Sequence, residues 1–217
     1  MKATCYWCGS PAESVEHVPS RSLFPAQRRK DLITVPACTR HNEDLSRHDE
    51  LFRFYLQAAS PSPDAFALFS DKTMRSIERP QSAALVERIF AGSEPAFVEG
   101  GETRALKVDP KRQGLYFEKV IRGLYFHIFD RTIRGTVASF SPLFTNPEIN
   151  YQNLLAKFSK YHDSPRAIEP NVGQPEIFRY RYFREGEGES ECFLVWMVFY
   201  GSVPVVGMSS VSKEVSK

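Results

Sequence analysis

Two short pairs of soft donors constrain this chain more than anything else in it: Cys5 and Cys8 as C-x-x-C, then Cys38 and His41 as C-x-x-H. A tetrahedral zinc ion takes four sulfur or nitrogen donors at about 2.0–2.3 Å, and two knuckles each offering a pair meet that requirement. Closing both pairs on one ion pins the ends of the long loop between them. Inside that loop stands Glu16-His17-Val18-Pro19, and Asn42 directly follows the last ligand. The pinned loop therefore carries an acid–histidine pair toward an asparagine. With four protein ligands the ion is closed and structural, so hydrolytic chemistry nearby needs a second ion.

Composition permits a folded body around this frame. The chain has 217 residues, 42% of them hydrophobic and 25% charged, within the range of an ordinary globular protein. A formal net charge of +2 allows a nucleic-acid partner but requires any basic footprint to be local. Three of the four cysteines belong to the metal pattern, leaving Cys192 alone, which argues against a disulfide framework. No apolar stretch precedes the first knuckle, so no signal peptide is expected, and thiols kept for metal suit the cytoplasm. The most apolar run, from Cys192 to Tyr200, is shorter than the ~20 residues of a spanning helix and is followed by Gly201 and Pro204. Its β-branched and aromatic content predicts buried strands, and no membrane partner is expected.

The pattern divides at Ser60-Pro-Ser-Pro63, giving a zinc-binding module over 1–60 and an α+β region of unassigned role over 61–217. In the module, 12–18 is expected to be extended, 31–36 a short strand stopped by Pro36, and 42–59 one helix. Leu45, Phe52 and Leu56 fall on one stripe of that helix, with His48 beside them as a core histidine. Asn42, Ser46, Asp49 and Arg53 fall on another. Further on, 64–91 reads as helical with an interruption near Pro80, and 94–110 as short strands and turns. Helices are expected over 113–132 and 151–161. Antiparallel strands are expected over 177–184, 192–200 and 203–208, with a polar turn at 185–189 and a frayed tail from Ser209. His127 and His162 are scattered, and no phosphate loop or nucleophile elbow occurs.

The chemistry at the pinned loop follows from residue type. His17 titrates near working pH and can act as general base toward water. Glu16 can hold a hard cation such as Mg²⁺, to which Asn42 offers an amide oxygen. Asp49 shares Asn42's helical stripe and is a further candidate ligand, or else a solvated carboxylate. Arg21, Arg28, Arg29, Lys30 and Arg40 form the one basic concentration near the site and are candidates for phosphate contact, or else solvated loop charge. Arg179, Arg181 and Arg184, interleaved with aromatic residues, read better as an alternating strand than as a nucleic-acid face.

Taken together, C-Y-W-C-G, E-H-V-P and L-I-T-V-P-A-C-T-R-H-N, with D-E a few residues later, resemble the HNH endonucleases and their ββα-metal core. The resemblance spans residues 5 to about 56. It implies an N-terminal zinc-stabilised ββα-metal module, ahead of the mixed α+β region with helices and C-terminal antiparallel strands read above. It further implies His17 as general base, a catalytic Mg²⁺ or Mn²⁺ near Glu16 and Asn42, and nucleic acid, with DNA the expected substrate. The family's middle asparagine aligns near Asp31, which would help orient the base, and its usual aspartate before the histidine is here Glu16. Two other readings remain open: a non-catalytic zinc module binding nucleic acid or protein, and a nuclease active only with a partner in a defence or mobile-element system. Residues 61–217 would then supply substrate selection, homo-oligomerisation or docking of a partner protein.

Overall fold

The computed structural model describes residues 3–98, 101–144, 151–186 and 191–210. The protein is a mixed α+β structure. Its N-terminal part is a hairpin of β1 (Ser14–His17) and β2 (Thr34–Ala37), paired antiparallel from Ser14↔Ala37 to His17↔Thr34. Strand alternation turns Glu16 inward while Val15 is exposed and His17 half-buried. Pro36 sits within β2 instead of stopping it. In a two-stranded ladder its missing N–H can face away from the partner, and its carbonyl accepts from the Tyr6 amide at 2.8 Å.

The single helix expected over 42–59 is two: α1 (Thr39–Asn42) and α2 (Ser46–Ala58). The break has a local cause. Both the amide and the hydroxyl of Ser46 donate to the Glu43 carbonyl, at 3.1 and 2.7 Å, closing a turn where the helix would have continued. In α2 every residue from Leu51 to Gln57 is buried, including Arg53 and Gln57, so its apolar stripe has no solvent-facing counterpart there.

Next come α3 (Pro63–Leu68), a π-helical turn at Phe69–Met74, the short α4 (Arg75–Ile77), a 3₁₀ turn at Pro80–Ser82 and α5 (Ala83–Phe90). Strands β3 (Glu94–Val98) and β4 (Gly101–Ala105) form a separate two-stranded ladder. The long α6 (Pro110–Phe129) begins earlier than its apolar spacing suggested, because Pro110 at the first position and the Asp109 side chain accepting from the Lys111 amide cap it. It ends at Asp130 in the left-handed conformation. A four-stranded antiparallel sheet, ordered β5-β8-β7-β6, closes the fold. It comprises β5 (Thr136–Phe140), β6 (Phe178–Glu185), β7 (Cys192–Phe199) and β8 (Val203–Ser210); α7 (Tyr151–His162) packs on β6. Strand β5 was not expected. Ser209 and Ser210, expected in the frayed tail, pair within β8 instead; the tail from 211 and residues 187–189 of the expected polar turn lie outside the described residues.

One hydrophobic core runs from Cys5 and Tyr6 through α2 and α6 to β7 and β8, crossing position 60 without interruption. Helix α6 is its axis, touching β2, α2, β5 and β8. Where α6 meets the hairpin end it carries Gly123: a Cβ there would stand 2.5 Å from Val18 Cγ2. Among the described residues, no helix is long and apolar enough to cross a membrane.

Candidate metal centre and the His17 site

The first knuckle is a tight turn in which the Gly9 amide donates to the Cys5 carbonyl and the Cys5 amide to the Ser10 carbonyl, at 2.9 and 2.7 Å; Gly9 has φ +73°. The second knuckle is the start of α1, with the His41 amide donating to the Cys38 carbonyl at 3.0 Å. They face each other because Cys38 follows β2 directly and the Tyr6 amide donates into β2. The donor atoms of Cys5, Cys8, Cys38 and His41 all lie within 4.8 Å of one another. Cys8 Sγ is 3.9 Å from Cys38 Sγ, and His41 Nδ1 is 3.3 Å from Cys38 Sγ and 3.6 Å from Cys5 Sγ. A tetrahedron of zinc–sulfur bonds has edges of roughly 3.8 Å, so the four donors fit zinc with little movement.

The liganding imidazole is held from outside the module as well. Trp7 stacks on the His41 ring at 4.8 Å, and the Arg122 guanidinium of α6 lies 5.1 Å over Trp7. Arg122 in turn pairs with Glu118 at 2.7 Å and donates to the carbonyls of Ile133 and Gly135. An outer shell of this kind fixes the ligand ring.

His17 lies at the other end of the hairpin, three residue steps or about 10 Å along β1 from Ser14. Burial first, then the neighbouring charges of Arg21 and Arg29, hold its imidazole below the ordinary histidine value. It is therefore neutral near pH 7 and able to accept a proton. Its own amide donates to Glu16 Oε1 at 2.9 Å.

Glu16 and Asp49 do converge, but on a lysine. Lys119 Nζ lies 2.7 and 2.9 Å from the two Asp49 oxygens and 3.1 Å from Glu16 Oε2. The Glu16 contact is an ion pair out of line with a hydrogen bond, which leaves Oε2 without a hydrogen-bond donor. The side chains of Lys119, Glu16 and Asp49 are 3%, 6% and 13% exposed, so the triad is sealed from solvent. Burial nonetheless keeps both carboxyls above their ordinary values, the nearby ammonium countering only part of it. Asn42 donates from Nδ2 to Ser14 Oγ at 2.9 Å and to the Val15 carbonyl at 3.3 Å, tying α1 to β1. As arranged, Glu16, Asn42 and Asp49 do not fit a divalent cation, because an ammonium already supplies the positive charge between the two carboxylates. The expected Mg²⁺ or Mn²⁺ at these residues has no support beyond the resemblance.

The other expected residues scatter. Asp31 precedes β2, is exposed, and has a left-handed backbone with φ +54°. Together with Phe24, Leu32, His127, Phe178 and Tyr180 it lines a cleft of about 360 Å³, and no hydrogen bond joins it to His17 among the described residues. Arg28 bridges Asp64 at 3.1 Å and Glu176 at 2.7 Å, so carboxylates on two other segments engage it. Arg40 is on α1 at the zinc end and Lys30 is an exposed loop residue. Only Arg21 and Arg29 of the basic set accompany His17. His48 is half-buried beside the core, its Nδ1 without a partner.

Lys119 and Arg122 were not anticipated from the sequence, although a signal existed. Tyr116, Lys119, Val120 and Gly123 recur at helical spacing on the buried side of α6, and a lysine there needs a carboxylate.

No family model, curated protein or solved structure matches this chain. What stands on its own is a mixed α+β protein with a Cys₃His cluster able to hold a structural metal such as zinc.

Proposed function

We propose that the protein is an HNH-type endonuclease hydrolysing phosphodiester bonds of nucleic acid, with DNA the expected substrate and His17 the general base. One observation carries this reading: a neutral, half-buried imidazole stands with Arg21 and Arg29 at the end of a hairpin whose other end is pinned by four zinc donors. His17 takes a proton from water as its oxygen attacks phosphorus. The P–O bond to the leaving sugar oxygen breaks, and that oxygen takes a proton from solvent water, giving a phosphomonoester and an alcohol. Arg21 and Arg29 offset the charge that grows on the phosphoryl oxygens. No step is routed through Glu16, which Lys119 engages.

The test is cleavage of supercoiled plasmid and single-stranded DNA by zinc-loaded protein, with Mg²⁺, Mn²⁺ or chelator, beside His17→Ala. Loss of cleavage in a folded, zinc-replete His17→Ala protein supports the reading. Equal cleavage by both proteins, or none by the wild type, refutes it for the isolated chain. The Lys119 ion pairs favour one rival, a non-catalytic zinc module that binds nucleic acid. That rival predicts binding without cleavage under every ion, and no effect of His17→Ala on binding.

A further inference from the structure

Next to His17 the fold gathers positive charge that it leaves uncompensated. Arg21 stands on the 3₁₀ turn Arg21–Leu23, Arg29 follows the turn Ala26–Arg28, Arg53 is on α2, and Lys72 is in the π-helical turn. Helix α2 packs against both the Arg21–Leu23 turn and the π-helical turn. A buried hydrogen-bond chain fixes these elements to one another. Thr73 Oγ1 donates to Gln57 Oε1 at 2.6 Å, Gln57 Nε2 to the Tyr200 hydroxyl at 3.2 Å, and that hydroxyl to the Leu23 carbonyl at 2.7 Å. Its links adjoin the cations: Thr73 follows Lys72, Gln57 is one turn beyond Arg53, and Leu23 is two residues past Arg21.

Arg53 is the unusual member. It is nine-tenths buried and its Nε has no partner. Its nearest carboxylate is Glu50, at a loose 3.7 Å and shared with the Ser76 hydroxyl. Among the described residues, Arg21, Arg29 and Lys72 have no acidic partner within ion-pair distance. Within ion-pair distance the four cations thus meet one carboxylate among the described residues, Glu50. Arg29, Arg53 and Arg21 lie close enough to Lys72, after its partial burial, to hold its ammonium below the ordinary lysine value. Keeping a buried guanidinium on one loose carboxylate among like charges is costly unless an anion completes the set. Three guanidinium forks and an ammonium on elements packed against one another suit phosphate oxygens. π-Helical turns such as the one carrying Lys72 recur at functional sites.

We propose that Arg21, Arg29, Arg53 and Lys72 form a phosphate-binding cradle beside His17. The proposal goes beyond hydrolysis, since the cradle binds phosphate whether or not His17 cleaves. The phosphate is either a backbone diester of a nucleic-acid strand or the monoester at its end.

The experiment uses the zinc-loaded full chain. Calorimetry with inorganic phosphate is run beside fluorescence anisotropy with a single-stranded oligonucleotide carrying, or lacking, a 5′-phosphate. Saturable phosphate binding is expected, weakened about tenfold by Lys72→Gln combined with Arg29→Gln. These two side chains are not buried, so the double variant avoids the folding risk of Arg53→Met. Arg75→Gln, which removes an exposed partner of Asp71, should bind like the wild type. Preference for the phosphorylated oligonucleotide would assign the cradle to a terminal monoester, and equal affinity to the backbone diester. Absence of saturable binding of either ligand, or unchanged affinity in the double variant, would overturn the proposal. Neither result depends on cleavage, so the cradle and the nuclease reading fail separately.

Discussion

Lys119→Met is the sharpest perturbation of this fold, because it strips the cation from a sealed pair of carboxylates and leaves the volume nearly unchanged. The ammonium is 2.7–3.1 Å from both acids. At an effective dielectric near 20, each such contact is worth about 5 kcal/mol of attraction, against several kcal/mol of desolvation per ion. The net contribution of the intact triad is therefore small, but removing one member of it is not. Two carboxylates would remain buried beside each other, at a cost of about 3–5 kcal/mol at neutral pH. Glu16 and Asp49 already have raised folded-state values, burial being the first cause. A raised value means the favourable contribution is complete below the unfolded carboxyl range and is lost as pH rises through the folded value. Losing the ammonium raises both further, so the penalty should be largest at neutral pH and shrink as the acids protonate.

Urea unfolding of zinc-loaded wild type and Lys119→Met, compared at about pH 5 and pH 7.5, reads this difference directly. Adding Glu16→Gln and Asp49→Asn to the variant should recover much of the stability at the higher pH. A loss below about 1 kcal/mol at pH 7.5, or a greater loss at pH 5, would refute the account of the triad as a desolvated, charge-compensated cluster.

Cys38→Ser should lower both bound zinc and melting temperature, since ligand binding is part of the folding free energy; zinc content and calorimetry check it, and an unchanged melt with full zinc would remove Cys38 from the ligand set. Asn42→Ala should cost about 1 kcal/mol through lost bonds to Ser14 and Val15 while sparing zinc, as measured by urea unfolding and metal analysis. Gly123→Ala should destabilise by about 1–3 kcal/mol through its clash with Val18, and Val18→Ala should rescue it. Because the His17 value is lowered, cleavage should hold through the ordinary imidazole range and fall only at more acid pH; a half-maximal point above pH 6.5 would count against His17 as base.

The frame was legible in the sequence because its signals are local. C-x-x-C and C-x-x-H name their own ligands, and the long apolar spacing of α6 names its element. What escaped depended on contacts across the chain. The break between α1 and α2 turns on Ser46 reaching back to Glu43, which competes with a helix whose propensity is good on both sides. Strand β5 carries only five residues and takes its place from pairing with β8, two-thirds of a chain-half away. Glu16 and Asp49 are expected from the sequence around a cation, and spacing could not say that Lys119 would stand between them.

The lysine also changes how the two halves of the chain relate. A zinc knuckle needs little else to fold, and 1–60 could have been an appended module. Here α6 reaches it at three points: Lys119 to Glu16 and Asp49, Arg122 over Trp7 beside His41, and Gly123 against Val18. Each contact touches a residue next to the metal centre or to His17, so the body sets the geometry of the hairpin as much as the metal does. The cradle has the same origin, since Thr73 ties the π-helical turn to Gln57 of α2, and Tyr200, just after β7, ties Gln57 to the Arg21–Leu23 turn. On the proposed reading, residues 61–217 fix charges around the chemistry that the first quarter of the chain would supply. A truncation at residue 60 should accordingly keep the four metal ligands yet lose phosphate affinity, as Lys72 and the Tyr200 tether go with the removed part.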